Sequence, residues 1–166
     1  TMIVGRFVGV NALAAVGSTG SLNFLIIGFV LGLAAGFGIP IAQAFGAREE
    51  KRMLQTIMNA FYLCIFFSIV LTILTHFTTE TLLQWMQTPA NIFKQSYDYI
   101  SIIFYGLTCT IAYNFLASVS RALGDSKTPL IFLVISSVLN VVLDLSMIIN
   151  FHMGVRGAAL ATVIAQ

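Results

Sequence analysis

The chain alternates between long apolar runs and short polar breaks, and the runs have helical rather than strand length. About 20 consecutive apolar residues carry a helix across a bilayer. Four runs reach that length, at residues 22–45, 54–76, 97–123 and 129–151. Two shorter runs, 1–10 and 154–166, flank them and have the character of truncated spans. The pattern predicts an all-α, polytopic membrane helical bundle: four full spans plus two truncated spans of a six-helix lobe covering residues 1–166. Asn11, Gly17, Ser18, Gly20 and Ser21 predict a short loop after the first run. Thr78, Thr79, Glu80, Gln84, Gln87, Thr88 and Pro89 predict a polar connection before the fourth.

The remaining breaks have clear physical causes. GAREEKRM (46–53) contains five consecutive charges, Arg48 to Arg52, which hydrocarbon cannot solvate. GDSKTP (124–129) stops one helix and starts another: Gly124 suits a left-handed C-terminal position, Thr128 an N-cap and Pro129 the first helical position. The loops after spans two and four carry Arg48, Lys51, Arg52, Arg121 and Lys127, whereas the opposite side carries Arg6, Lys94 and Arg156. This bias predicts that 46–53 and 121–128 face the cytoplasm.

Composition agrees with the pattern. Hydrophobic residues make up 58% of the chain and charged residues 8%, against roughly 25% charged in ordinary soluble domains. Eight Lys and Arg with six Asp and Glu are too few to cover a core with a water-facing surface. The solvent for most of the chain is lipid, and the expected location is a cell membrane, plasma or inner, crossed several times. A net charge of +2 without a basic patch argues against nucleic acid as a partner. Cys64 and Cys109 sit inside apolar runs, away from any metal-ligand spacing, as small apolar fillers. There is no GxSxG elbow, HExxH, P-loop or dinucleotide fingerprint, so nothing points to an enzyme or an ATP-driven pump.

The second run holds Gly28, Gly32, Gly36 and Pro40 on one helical face. Close packing between membrane helices is the expected use of such a stripe; a softened helix lining a cavity is the alternative. Gly154, Ala158 and Thr162 repeat the spacing in the sixth span.

One ionisable residue lies deep in an apolar run: Asp144, in NVVLDLSM (140–147). A lone carboxylate at that depth costs ~2.5–3.5 kcal/mol on insertion scales and needs a partner or a role. Ser136, Asn140 and Asp144 are spaced four apart and form a polar stripe that should face the bundle interior. Such a carboxylate can alternate between protonated and ionised states as its surroundings open and close; a purely structural polar link between helices is the competing reading. Taken alone, Thr162 and Tyr99 are packing residues with a local hydrogen bond. His76 and His152 fall near span ends, where interfacial water would solvate them, and Trp85, Tyr97 and Tyr99 fit an interfacial aromatic belt.

Across its whole length the chain resembles the multidrug and toxic compound extrusion (MATE) family. The segments that carry the resemblance are VGRFVGVNALAAVG (4–17), the Gly-rich span ending in FGAREE (45–50), RALGDSKTPL (121–130), NVVLDL (140–145) and GVRGAALATVIAQ (154–166). Their order and spacing together are specific. The resemblance implies two six-helix bundles that export amphipathic, often cationic compounds in exchange for Na+ or H+, of which this chain is the N-terminal bundle without its C-terminal partner lobe. It implies a cation site made of an Asp on the first helix, Asn140 and Asp144 on the fifth, Thr162 on the sixth, and a Tyr from the fourth, with Tyr99 preferred over Tyr97. The first-helix Asp would fall immediately before Thr1. Asp144, Asn140 and Thr162 would then supply part of a Na+ site, and no other cofactor is expected. A lipid-linked oligosaccharide flippase of the same superfamily, or a non-transporting sensor or assembly module, are the alternatives. The flippase should place basic residues in its cavity, and here no Lys or Arg lies mid-span.

Overall fold

The computed structural model describes residues 2–166, with side chains from residue 3 onward; Thr1, where the first expected span starts, lies outside the described residues. Every regular element among the described residues is helical: α1 (Met2–Phe7), α2 (Val10–Ser18), α3 (Gly20–Gly46), α4 (Glu50–Trp85), α5 (Ala90–Tyr105), α6 (Leu107–Ala122), α7 (Lys127–Leu145) and α8 (Gly154–Ala165). A π-helical turn, Ser146–Asn150, extends α7. Three helices are long and apolar enough to cross a bilayer, Gly20–Gly46, Glu50–Trp85 and Lys127–Asn150. α5 and α6 make a fourth such span, bent by 45° at Gly106.

Several local expectations are corrected. The loop predicted at 11–21 is helix, since α2 runs to Ser18 and α3 begins at Gly20. Ser18 and Thr19 hydroxyls donate to the carbonyls of Ala15 and Val16, so they satisfy themselves without leaving helical geometry. The chain turns instead at Gly9, whose φ of 116° breaks the first span into α1 and α2. The polar connection predicted at 78–89 is helical as far as Trp85. Its threonines bond back one turn, Thr78 to the Leu74 carbonyl at 2.7 Å and Thr79 to that of Thr75, which lets a polar residue stay in a helix. The fourth span starts at Ala90 rather than at residue 97. Gly124 has the expected left-handed backbone, with φ of 88°. The cap, however, is Asp125, not Thr128: its Oδ1 accepts from the backbone N–H groups of Lys127 and Thr128, both at 3.0 Å. The helix therefore starts at Lys127, and Pro129 lies in its first turn.

The packing is that of a helical bundle. α3 lies against α4 and α6, and α4 against α5 and α6; α5 packs on α2 and α8, and α8 on α7 and the π turn. Leu83, Ile100, Leu107, Phe104 and Ala159 are among the buried residues of the main cluster. Residues Leu130 to Ile135 are six consecutive exposed apolar side chains on α7. This outward apolar surface would be unstable in water and is at rest in lipid, as the composition requires.

Gly28, Gly32 and Gly36 face outward, and a Cβ placed on any of them meets nothing within 4 Å, so the expected close packing is absent among the described residues. α3 is also unbroken through Pro40. The close approach occurs at Gly38, on the inward face, where a Cβ would stand 2.6 Å from Ser118 Oγ. That hydroxyl reaches across from α6 to donate to the Ala34 carbonyl at 2.7 Å.

Candidate functional site

The polar stripe on α7 faces α8. Ser136 Oγ donates to the Ala165 carbonyl at 2.5 Å, and Asn140 Nδ2 donates to Thr162 Oγ1 at 3.3 Å. Each step back along α7 is matched by a step forward along α8, so the helices are antiparallel and Asp144 falls level with Ala158. A Cβ on Gly157 would meet Met147 Cβ at 3.1 Å, which fits the same register. Thr162 itself donates to the Ala158 carbonyl at 2.9 Å.

Asp144 is 8% exposed, and its Oδ1 is sealed from solvent without a hydrogen-bond partner. Buried polar atoms are nearly always partnered, and this carboxylate oxygen is one of the few sealed side-chain atoms among the described residues that lack a protein partner. The two other members of the stripe each find a partner on α8, and Asp144 does not.

The surroundings are apolar. Ile148, one turn beyond Asp144, packs with Val4, Ala12, Val16, Val155 and Ala158. Tyr99 turns inward, packs against both this cluster and the main one, and lies within electrostatic range of Asp144. Tyr97 packs against the main cluster alone, which separates the two tyrosines. Asp144 stands two residues before the π turn, an irregularity that recurs at functional positions in helices.

The donor chemistry fits a hard cation. A carboxylate oxygen, an amide oxygen from Asn140 and a hydroxyl from Thr162 are oxygen ligands of the type that bind Na+, and the carboxylate alone can take H+. No group of three or more His, Cys, Asp or Glu side chains comes together among the described residues, so a softer transition-metal centre has no ligand set there.

Two features escaped the sequence reading. Asp98 pairs with Arg156 at 2.9 Å and links α5 to α8; a charge two turns into a span-flanking segment gives no linear sign of its partner 58 residues away. His76 does not rely on interfacial water alone: its Nδ1 is 2.6 Å from the Tyr105 hydroxyl. Trp85 is 78% exposed, and both cysteines are free.

Known proteins match the sequence and fold of this chain. The MatE family profile matches residues 1–146. The chain is 36% identical over 168 residues to a probable multidrug resistance protein, YoeA, of Bacillus subtilis, covering 99% of this chain and 36% of that protein. It is 27% identical to a probable multidrug resistance protein, NorM, of Thermotoga maritima, covering 94% of this chain and 34% of that one. Among solved structures, a MATE protein in its bent conformation superposes with a TM-score of 0.94 at 26% identity, over 99% of this chain and 36% of that one. A MOP-superfamily transporter from Pyrococcus furiosus superposes with a TM-score of 0.92 at 26% identity, over 99% of this chain and 37% of that one; its description notes a binding pocket of reversed polarity and a different function. The chain thus spans little more than a third of the length of the proteins it matches.

Proposed function

Because the chain belongs to the MatE family, a family of multi-pass membrane transporters rather than enzymes, we propose that it forms the N-terminal six-helix lobe of a cation-coupled multidrug exporter. The exporter acts in the plasma or inner membrane together with a C-terminal lobe, and it carries amphipathic, often cationic compounds outward in exchange for Na+ or H+. The observation that supports this reading is the orphaned Asp144 Oδ1 at the end of an otherwise paired α7–α8 stripe.

In this mechanism the cation enters from the outer side, down its gradient, and neutralises Asp144. Asn140 and Thr162 orient it by supplying amide and hydroxyl oxygens, and the cluster around Ile148 excludes competing water. Neutralisation removes the cost of a buried charge, so it favours the packing in which α7 closes on α8 and disfavours the one in which the carboxylate is hydrated. One charge moving through a potential of about 100 mV contributes ~2.3 kcal/mol, and no nucleotide is needed. The absence of Lys and Arg from mid-span positions supports cationic over anionic cargo.

The test uses the full-length protein in cells and reads dye efflux normalised to correctly inserted protein. Asp144→Asn keeps size and hydrogen bonding but removes the titratable charge, so it should abolish efflux with insertion intact. Asn140→Ala should make efflux require a steeper gradient. Thr162→Ala should have the smallest effect, since it removes one neutral ligand of ~1 kcal/mol. Wild-type normalised efflux from Asp144→Asn would defeat the proposal. Loss of inserted protein with activity per inserted molecule retained would assign the stripe a structural role.

A further inference from the structure

α4 carries a second polar stripe that the cation site does not use. Ser68, Thr72, Thr75, His76 and Thr79 follow helical spacing, and Ser68, Thr75 and Thr79 are buried at 5%, 2% and 1% exposure. Most of this stripe is satisfied. Ser68 Oγ lies 2.7 Å from Thr108 Oγ1 on α6. Thr75 and Thr79 donate to the carbonyls of Leu71 and Thr75. The His76 ring meets the Tyr105 hydroxyl.

Two groups are left over. Thr72 Oγ1 on α4 and Ser101 Oγ on α5 are both sealed from solvent, and neither has a hydrogen-bond partner. Both line one void of about 10 Å³, walled also by Thr75, His76, Thr79, Phe104 and Tyr105. A polar void of about one probe sphere holds one water, and a water needs two to four polar partners to stay. Lipid cannot supply those hydrogen bonds.

We propose that this void is a water site in which one ordered water bridges Thr72 Oγ1 and Ser101 Oγ and joins α4 to α5 inside the bilayer. The two hydroxyls complete each other through it, each as donor or acceptor as the other requires. A bare cation does not suit the place: no carboxylate lines it, and a void of this size leaves no room for several further oxygens. The His76–Tyr105 pair forms its exposed wall. The site is separate from Asp144 and does not depend on the transport reading.

X-ray hydroxyl-radical footprinting of the purified full-length protein tests this directly. Radiolysis of a bound water releases a radical in place, and the nearest buried reporter is Phe104, 2% exposed and in the wall of the void. The wild type should show oxidation at Phe104. Thr72→Val with Ser101→Ala removes both hydroxyls and should abolish it. An unmodified Phe104 in the wild type, or equal oxidation in a folded double variant, overturns the proposal. Should the double variant not fold, Ser101→Ala alone removes one of the two bridging partners, and undiminished oxidation there overturns it equally.

Discussion

Gly106→Ala should destabilise the lobe at the α5–α8 contact. Gly106 lies at the bend between α5 and α6, and its backbone, with φ of −78°, is open to any residue. The reason for glycine is space. An added Cβ would collide with Val163 Cγ2 and stand 2.8 Å from Cγ1 and 3.1 Å from Cβ. Carbon atoms in contact settle about 3.5–4.0 Å apart, so α8 must retreat by about 1 Å or Val163 must leave its rotamer. Overpacking of this kind costs ~1–3 kcal/mol. The displacement also matters for the site, because Thr162 adjoins Val163. Its contact with Asn140 is already long at 3.3 Å, and a further shift breaks it. Purified full-length Gly106→Ala should show a lower apparent melting temperature and weaker cation affinity. Val163→Ala removes both interfering methyl groups, so the double variant should recover most of the loss, a coupling expected of residues in contact. A melting temperature for Gly106→Ala equal to wild type, or strictly additive losses in the double variant, would refute the steric argument.

Two further outcomes follow from the loops. A cysteine at Glu50, with Cys64 and Cys109 removed, should resist an impermeant thiol reagent in intact cells and react after lysis; labelling in intact cells would invert the topology drawn from the Lys and Arg bias. Hydrogen bonds from Thr128, side chain and backbone, and from the Lys127 amide hold the Asp125 carboxyl below its ordinary range. A depressed carboxylate stabilises the fold fully above its unfolded value of about 3.9, and that contribution fades as pH falls through the lower folded value. Amide exchange at Lys127 and Thr128, corrected for intrinsic rate, should therefore lose protection only on strong acidification, and Asp125→Ala should lack this pH dependence; protection that falls alike in both would assign the cap elsewhere.

The spans were legible because apolar runs of bilayer length admit few other structures. The inward direction of the α7 stripe was legible for the same reason, since three polar residues four apart cannot all face lipid. What the pattern hid was local competition between side chain and backbone. Ser18, Thr19, Thr78 and Thr79 look like loop formers, yet each donates to a carbonyl three or four residues earlier and stays helical. Asp125 took the capping role from Thr128 because its carboxylate reaches two backbone N–H groups at once. The glycine stripe misled because spacing fixes a face but not what lies against it; Gly38, outside the stripe, makes the contact. At the site, Asn140 and Thr162 were paired by resemblance, and their hydrogen bond depends on an antiparallel register that no spacing along one helix contains. Asp98 and Arg156 were invisible as a pair for the same reason.

The claim that Asp144 couples cation to drug is tested most directly in proteoliposomes containing the full-length protein, by comparing two fluxes of the same dye. One is downhill exchange of dye against dye, which needs binding and alternating access but no cation gradient. The other is uphill accumulation driven by an imposed Na+ or pH gradient. The wild type should show both. Asp144→Asn should keep exchange and lose gradient-driven accumulation, because the pathway persists and only the titratable ligand is gone. Uphill accumulation by Asp144→Asn at the wild-type level would contradict the account.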